Sequence, residues 1–132
     1  MRPVRDCAAS LVLLVALFSV GCATEVAREP VAFVSAVGAV EPSIVFTRSA
    51  TVTPAFSDSQ VLRAGTVWKY VGSVPRGKVY APTNDVFMLS GRHNHEAYCV
   101  ITDGPVVVGF YLPVEQAFVS LPSAVPVSIK NQ

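Results

Sequence analysis

The stretch "EAYCVITDGPVVVGFYL", Glu96 to Leu112, constrains the fold more than any other part of the chain. Two β-prone arms rich in Val, Ile, Tyr and Phe flank the dipeptide Asp103-Gly104. That dipeptide favours a hairpin, because both central residues of a type I′ turn need positive φ. On the first arm, Ala97, Cys99 and Ile101 share one face; Tyr98, Val100 and Thr102 share the other. The second arm, Val106–Leu112, is apolar on both faces and is expected at the centre of a sheet. Gly109 within it signals a bulge or a close approach of another backbone.

The same pattern extends on both sides of the hairpin. From Val61 onward, β-branched and aromatic residues alternate with Gly and Pro punctuation. Strands are expected at Thr66–Ser73, Lys78–Ala81, Val86–Ser90, Glu96–Thr102, Val106–Leu112 and Ala117–Leu121, with a weaker one at Val125–Ile129. Helix signals are poor; "PVEQAF" offers one turn at most. The expected class is all-β, a small antiparallel barrel or sandwich spanning residues 61–132. In strand count and spacing this meander resembles SH3-like barrels. The preceding segment, residues 22–60, carries Pro30, Pro42 and Pro54 and few charges, yet it holds apolar runs such as "VAFVSAV" and "SIVF". It reads as a tether that becomes one or two edge strands, or as a spacer holding the domain away from a membrane.

The N-terminus decides location. Arg2 and Arg5 precede an apolar core from about Ala8 to Val20, and the small residues Ser19, Gly21 and Ala23 end it. A membrane-spanning helix needs roughly 20 apolar residues. A basic start, a shorter apolar core and a small-residue end describe a secretory signal peptide. Ser19-Val20-Gly21-Cys22 resembles the lipobox of bacterial lipoproteins, with Ser19 standing where Leu is commonest. The chain as a whole resembles small lipoproteins of the Gram-negative envelope. The resemblance implies removal of residues 1–21 and a diacylglycerol on the Cys22 sulfur. With Ala23 rather than Asp after the cysteine, it also implies sorting to the periplasmic face of the outer membrane. Several acyl chains, at about 0.8 kcal/mol per buried methylene, would hold the domain there. Ordinary cleavage after Ala23 is the competing outcome.

Of the three cysteines, Cys7 lies in the signal and Cys22 at the lipobox, so Cys99 stands alone. The exported domain therefore has no internal disulfide to lean on, and its stability must come from its core. The whole chain carries 10 Lys and Arg against 9 Asp and Glu, and the basic residues are scattered rather than clustered. That argues against a nucleic-acid partner, since phosphate binding needs concentrated positive charge.

The cluster "GRHNHEAYC" holds both histidines. On a strand, His93 and His95 would face the same way with Cα atoms about 7 Å apart, a spacing that suits two imidazoles on one Zn²⁺ or Cu²⁺. Glu96 would point to the opposite face. Cys99 lies about 13 Å beyond His95 along an extended strand, too far to complete the same site. The alternative is a polar turn leading into a buried strand, with Cys99 an inert thiol. No G-x-S-x-G elbow, dinucleotide fingerprint or Walker loop is present, so the chain shows no enzymatic motif and no cofactor motif. Trp68 and Tyr70 share a strand face, either as a binding patch for a peptide or glycan or as core residues. The expected function is a non-enzymatic binding or structural module of the cell envelope, anchored to the membrane through its lipid and meeting an envelope protein, peptide or glycan. The alternative is a periplasmic metal-binding protein using His93 and His95.

Overall fold

The computed structural model describes residues 28–38 and 41–132. Residues 1–21, expected as a signal peptide, and Cys22 lie outside the described residues. Among the described residues thirteen strands run in chain order: β1 (Arg28–Pro30), β2 (Val34–Ser35), β3 (Ile44–Phe46), β4 (Ala50–Val52), β5 (Gln60–Leu62), β6 (Val67–Val74), β7 (Gly77–Pro82), β8 (Met88–Ser90), β9 (Asn94–Glu96), β10 (Tyr98–Thr102), β11 (Val106–Leu112), β12 (Ala117–Pro126) and β13 (Ile129–Asn131). All pairings are antiparallel, and no helix occurs among the described residues. The fold is all-β, as the alternation of the sequence requires.

The main sheet has the order β1-β12-β11-β10-β7-β6-β3-β13. The two end strands do not pair with each other, so this is no closed barrel; the architecture is that of a small sandwich. β13 follows β12 after only Val127 and Ser128, yet it pairs β3 near the other end of the sheet. The sheet must therefore fold over on itself. Phe46, Trp68, Tyr80, Cys99, Ile101, Phe110, Leu112, Val119 and Leu121 are enclosed by that fold. Two hairpins, β4–β5 and β8–β9, close the open side, adding Val52, Leu62 and Leu89 to this core.

β11 is central, as its apolar sequence predicts: it pairs β10 on one side and β12 on the other. Val107, Gly109, Phe110, Tyr111 and Leu112 are all buried. Gly109 combines both of its expected roles. The register slips beside it in both ladders: against β10 Val108 is the extra residue, and against β12 the excess lies on β12, where Leu121 to Ala124 stand opposite Val108 alone. A Cβ at Gly109 would run into the Val119 carbonyl oxygen and come within 2.7 Å of the Phe118 ring. The faces of β10 are as expected, with Ala97, Cys99 and Ile101 in the main core and Tyr98 and Val100 in a second cluster.

Three expectations change in detail. Thr102 pairs Val106, so the β10–β11 loop is Asp103-Gly104-Pro105, three residues rather than a two-residue type I′ turn. Gly104 alone of these takes positive φ, at 135°. "PVEQAF" makes no helical turn; it is a tight turn followed by β12, with Gln116 at φ 55°. Residues 22–60 are expected as a tether with one or two edge strands, yet their described part supplies four strands and the first residue of β5. Ile44, Phe46 and Val52 from this stretch are buried in the main core.

The first of those strands form a strap. β1 pairs β12 at one edge of the five strands β12-β11-β10-β7-β6, and β2 pairs β6 at the other. The residues between them, Val31 to Phe33, cross the second apolar face, where Val31 and Phe33 pack on Val74, Val79, Val100, Tyr111 and Phe118. On that side Arg76 lies over the Phe118 ring at 5.0 Å.

Candidate functional site

Of the five candidate residues, the four that are described do not form one site. Cys22 is outside the described residues. Trp68 is 3% exposed, its ring edge-on to Phe46 and its indole N–H donating to the Thr66 hydroxyl at 3.0 Å. Tyr70 is half-buried and packs against Tyr80, 5.8 Å between centroids. The pair therefore contributes to the core instead of forming an exposed aromatic patch.

His93 is exposed and His95 half-buried, with ring centroids 6.5 Å apart. His95 Nδ1 meets Glu115 Oε1 at 3.0 Å, and Phe56 stands edge-on to the imidazole. Glu115 comes from the turn that Gln116 closes, a partner that sequence spacing does not reveal. Its second carboxylate oxygen, Oε2, is buried without a hydrogen-bond partner. The pairing leaves His95 Nε2 as the free ring nitrogen. Among the described residues, no three His, Cys, Asp or Glu side chains gather in a metal-sized cluster. Cys99 is fully buried, and burial pushes its thiol well above the ordinary range. A protonated, enclosed sulfur is neither nucleophile nor ligand.

A concavity lies elsewhere, between β5 and β8. The two strands begin as neighbours. Ser57 and Gly91 form an isolated antiparallel bridge, and the Asp58 N–H donates to the Ser90 carbonyl at 3.0 Å. Continued in register, this ladder would set Gln60 opposite Met88. It stops instead, for β5 pairs only β4 and β8 only β9. The hydrogen bonds behind each wall explain the parting. The Thr83 N–H and hydroxyl both donate to the Val67 carbonyl, at 3.1 and 3.2 Å, which draws the chain entering β8 toward β6. The Asp85 carboxylate then accepts the Val86 N–H at 2.8 Å and turns the chain locally. On the other wall, the Thr66 N–H and hydroxyl donate to the Arg63 carbonyl and close the turn after β5.

A V-shaped cleft of about 880 Å³ results. Leu62, Trp68 and Phe87 line its depth, with Trp68 and Phe87 edge-on at 5.6 Å. Val61, Val86 and Met88 are exposed at its lips. Arg63 and Asp85 are the charged residues among those lining it, one on each wall and both at the open end.

Strand alternation shows which main-chain groups face the gap. In the β4–β5 ladder Gln60 and Leu62 exchange their main-chain bonds with Val52 and Ala50, so it is Val61 between them that presents its N–H and C=O groups on the β8 side. The Phe87 carbonyl accepts from the Ala97 N–H at 2.9 Å on the β9 side, so the groups of Met88 point the opposite way, toward β5. Both walls thus carry main-chain donors and acceptors that no facing strand satisfies. No family model, curated protein or solved structure matches this chain.

Proposed function

We propose that this chain is an outer-membrane-anchored periplasmic lipoprotein whose β domain is a non-enzymatic binding module of the cell envelope. The observation that carries the anchor is Ser19-Val20-Gly21-Cys22 placed directly after the apolar run. The fold adds a consequence. β1 begins at Arg28, six residues past Cys22, so even a fully extended connection spans no more than about 21 Å. The lipid would hold the domain against the bilayer, with the strap as its attachment point. Binding is supported by the cleft between β5 and β8. Its size falls in the range of ligand sites, and its apolar lips are exposed.

Mass spectrometry of the mature N-terminus tests the anchor. The expected species begins at Cys22 and carries acyl chains, and Cys22→Ser leaves the precursor uncut or releases the protein from membranes. An unmodified chain starting at Thr24 overturns the lipoprotein reading.

One observation favours a second reading, a periplasmic metal-binding protein using His93 and His95. Glu115 on His95 Nδ1 is the arrangement by which a carboxylate orients a metal-binding imidazole, leaving Nε2 for the ion. Calorimetric titration with Zn²⁺ and Cu²⁺ decides it: a single site lost in both His93→Ala and His95→Ala supports this reading, and no heat of binding removes it.

A further inference from the structure

We propose that the β5–β8 cleft is a strand acceptor, and that its occupant is a short extended peptide segment of an envelope protein, uncharged and with apolar residues at alternate positions. This rests on reading the domain as a binding module, and is independent of whether Cys22 is acylated.

The main chain itself selects the ligand class. Val61 on one wall and Met88 on the other present N–H and C=O groups into the gap. An extended peptide backbone offers a donor and an acceptor on each of its two edges, one edge for each wall. The rung from Asp58 to Ser90 shows that the two walls are already aligned for antiparallel pairing at the closed end. A strand laid between them would be antiparallel to one wall and parallel to the other, completing a ladder from β4 through to β9. Strand addition to an open edge is a recurrent mode of peptide recognition.

The side chains narrow the sequence. On an inserted strand, alternate residues would point down onto Leu62, Trp68 and Phe87, and the rest outward between Val61 and the lip formed by Val86 and Met88. The inward positions call for Val, Ile or Leu. The charges of Arg63 and Asp85 cancel at the open end, so the cleft attracts neither a strongly acidic nor a strongly basic segment.

The test uses full-length mature protein, ¹⁵N-labelled and purified in detergent. The probe is an acetylated, amidated heptapeptide of alternating Thr and Val. Its counterpart is N-methylated at alternate residues, so that one edge can no longer donate. The expected result is amide shifts centred on Val61 and Met88, with slowed hydrogen exchange there. N-methylation weakens binding at least about tenfold if pairing is through the main chain. Met88→Pro removes a donor that faces the cleft and not β9, and is expected to abolish the shifts. If that variant unfolds, the N-methylated peptide still decides. Equal affinity for the two peptides, shifts confined to another surface, or no binding at about 1 mM each overturn the proposal.

Discussion

The ring of Phe33 stacks on the ring of Tyr111, with centroids 4.8 Å apart and planes within 16°. One belongs to the strap ahead of the first core strand, the other to the centre of the sheet. This contact, with Val31 beside it, covers an apolar face that would otherwise be open to water. Phe33→Ala is expected to cost about 1–3 kcal/mol, less than a fully buried Phe because the ring is only half-buried. Hydrogen exchange should then quicken across Arg28–Ala36 before the main sheet opens. An unchanged melting temperature would mean that the strap adds nothing to stability.

Residues 61–132 are expected not to fold alone. Removing the earlier segment takes Ile44, Phe46 and Val52 out of the main core and leaves β6 and β12 with open edges. Losing three buried side chains at about 2–5 kcal/mol each exceeds the stability of an ordinary small domain. Circular dichroism and dispersed amide resonances from the isolated fragment would contradict this.

Cys99 sets a pH dependence whose direction follows from its burial. Its folded-state thiol titrates above the unfolded one, which lies near about 8.5. Below that pH both states hold the proton. Above it, the unfolded chain releases a proton that the folded chain keeps, so stability falls by about 1.4 kcal/mol per pH unit. The loss should be read between about pH 8.5 and 10, before Tyr80, Tyr98 and Tyr111 add their own shifts in the same direction. Cys99→Ala should cost about 1–2 kcal/mol at neutral pH and flatten the alkaline decline. Ellman's reagent should label the native thiol slowly and the denatured one fast.

In the β10–β11 loop, Gly104→Val should cost about 1–3 kcal/mol. The residue has φ 135°, and a Cβ there would approach the Val106 side chain to 2.8 Å. Asp103→Asn should stay within about 0.5 kcal/mol, since Asp103 needs no positive φ and its side chain faces no structural bond. Thermal melts of the two variants beside wild type check the ordering.

Gln116 is the one described non-glycine residue at positive φ, 55°. Gln116→Gly is expected to raise stability by a few tenths to about 1 kcal/mol by relieving that strain. A lower melting temperature would show that the Gln side chain makes compensating contacts. The same variant tests whether the turn must be stiff to hold Glu115 against His95.

β9, the run of β12 on to Pro126 and β13 at Ile129–Asn131 were not legible in the sequence. The sequence by itself determined β6, β7, β8 and the start of β12, the hairpin of β10 and β11, the central place of β11, and the burial of Cys99. Those features are written in local alternation and turn chemistry, which act over a few residues. Gly109 was legible for the same reason: a glycine inside an apolar strand leaves few alternatives to a bulge or a close contact. The tertiary structure decided what depends on partners distant in the chain. Short strands such as Ile44–Phe46 and Val52 become core only because β6 and β12 lie beside them, and Pro-rich surroundings hid them. Trp68 and Tyr70 share a face in either state of burial, so alternation could not choose between patch and core. Glu115 reaches His95 across twenty positions of sequence. The cleft between β5 and β8 exists because Thr83 is drawn to Val67 while β5 stays with β4. A gap between two strands is a relation among four segments, and no periodicity within any one of them encodes it.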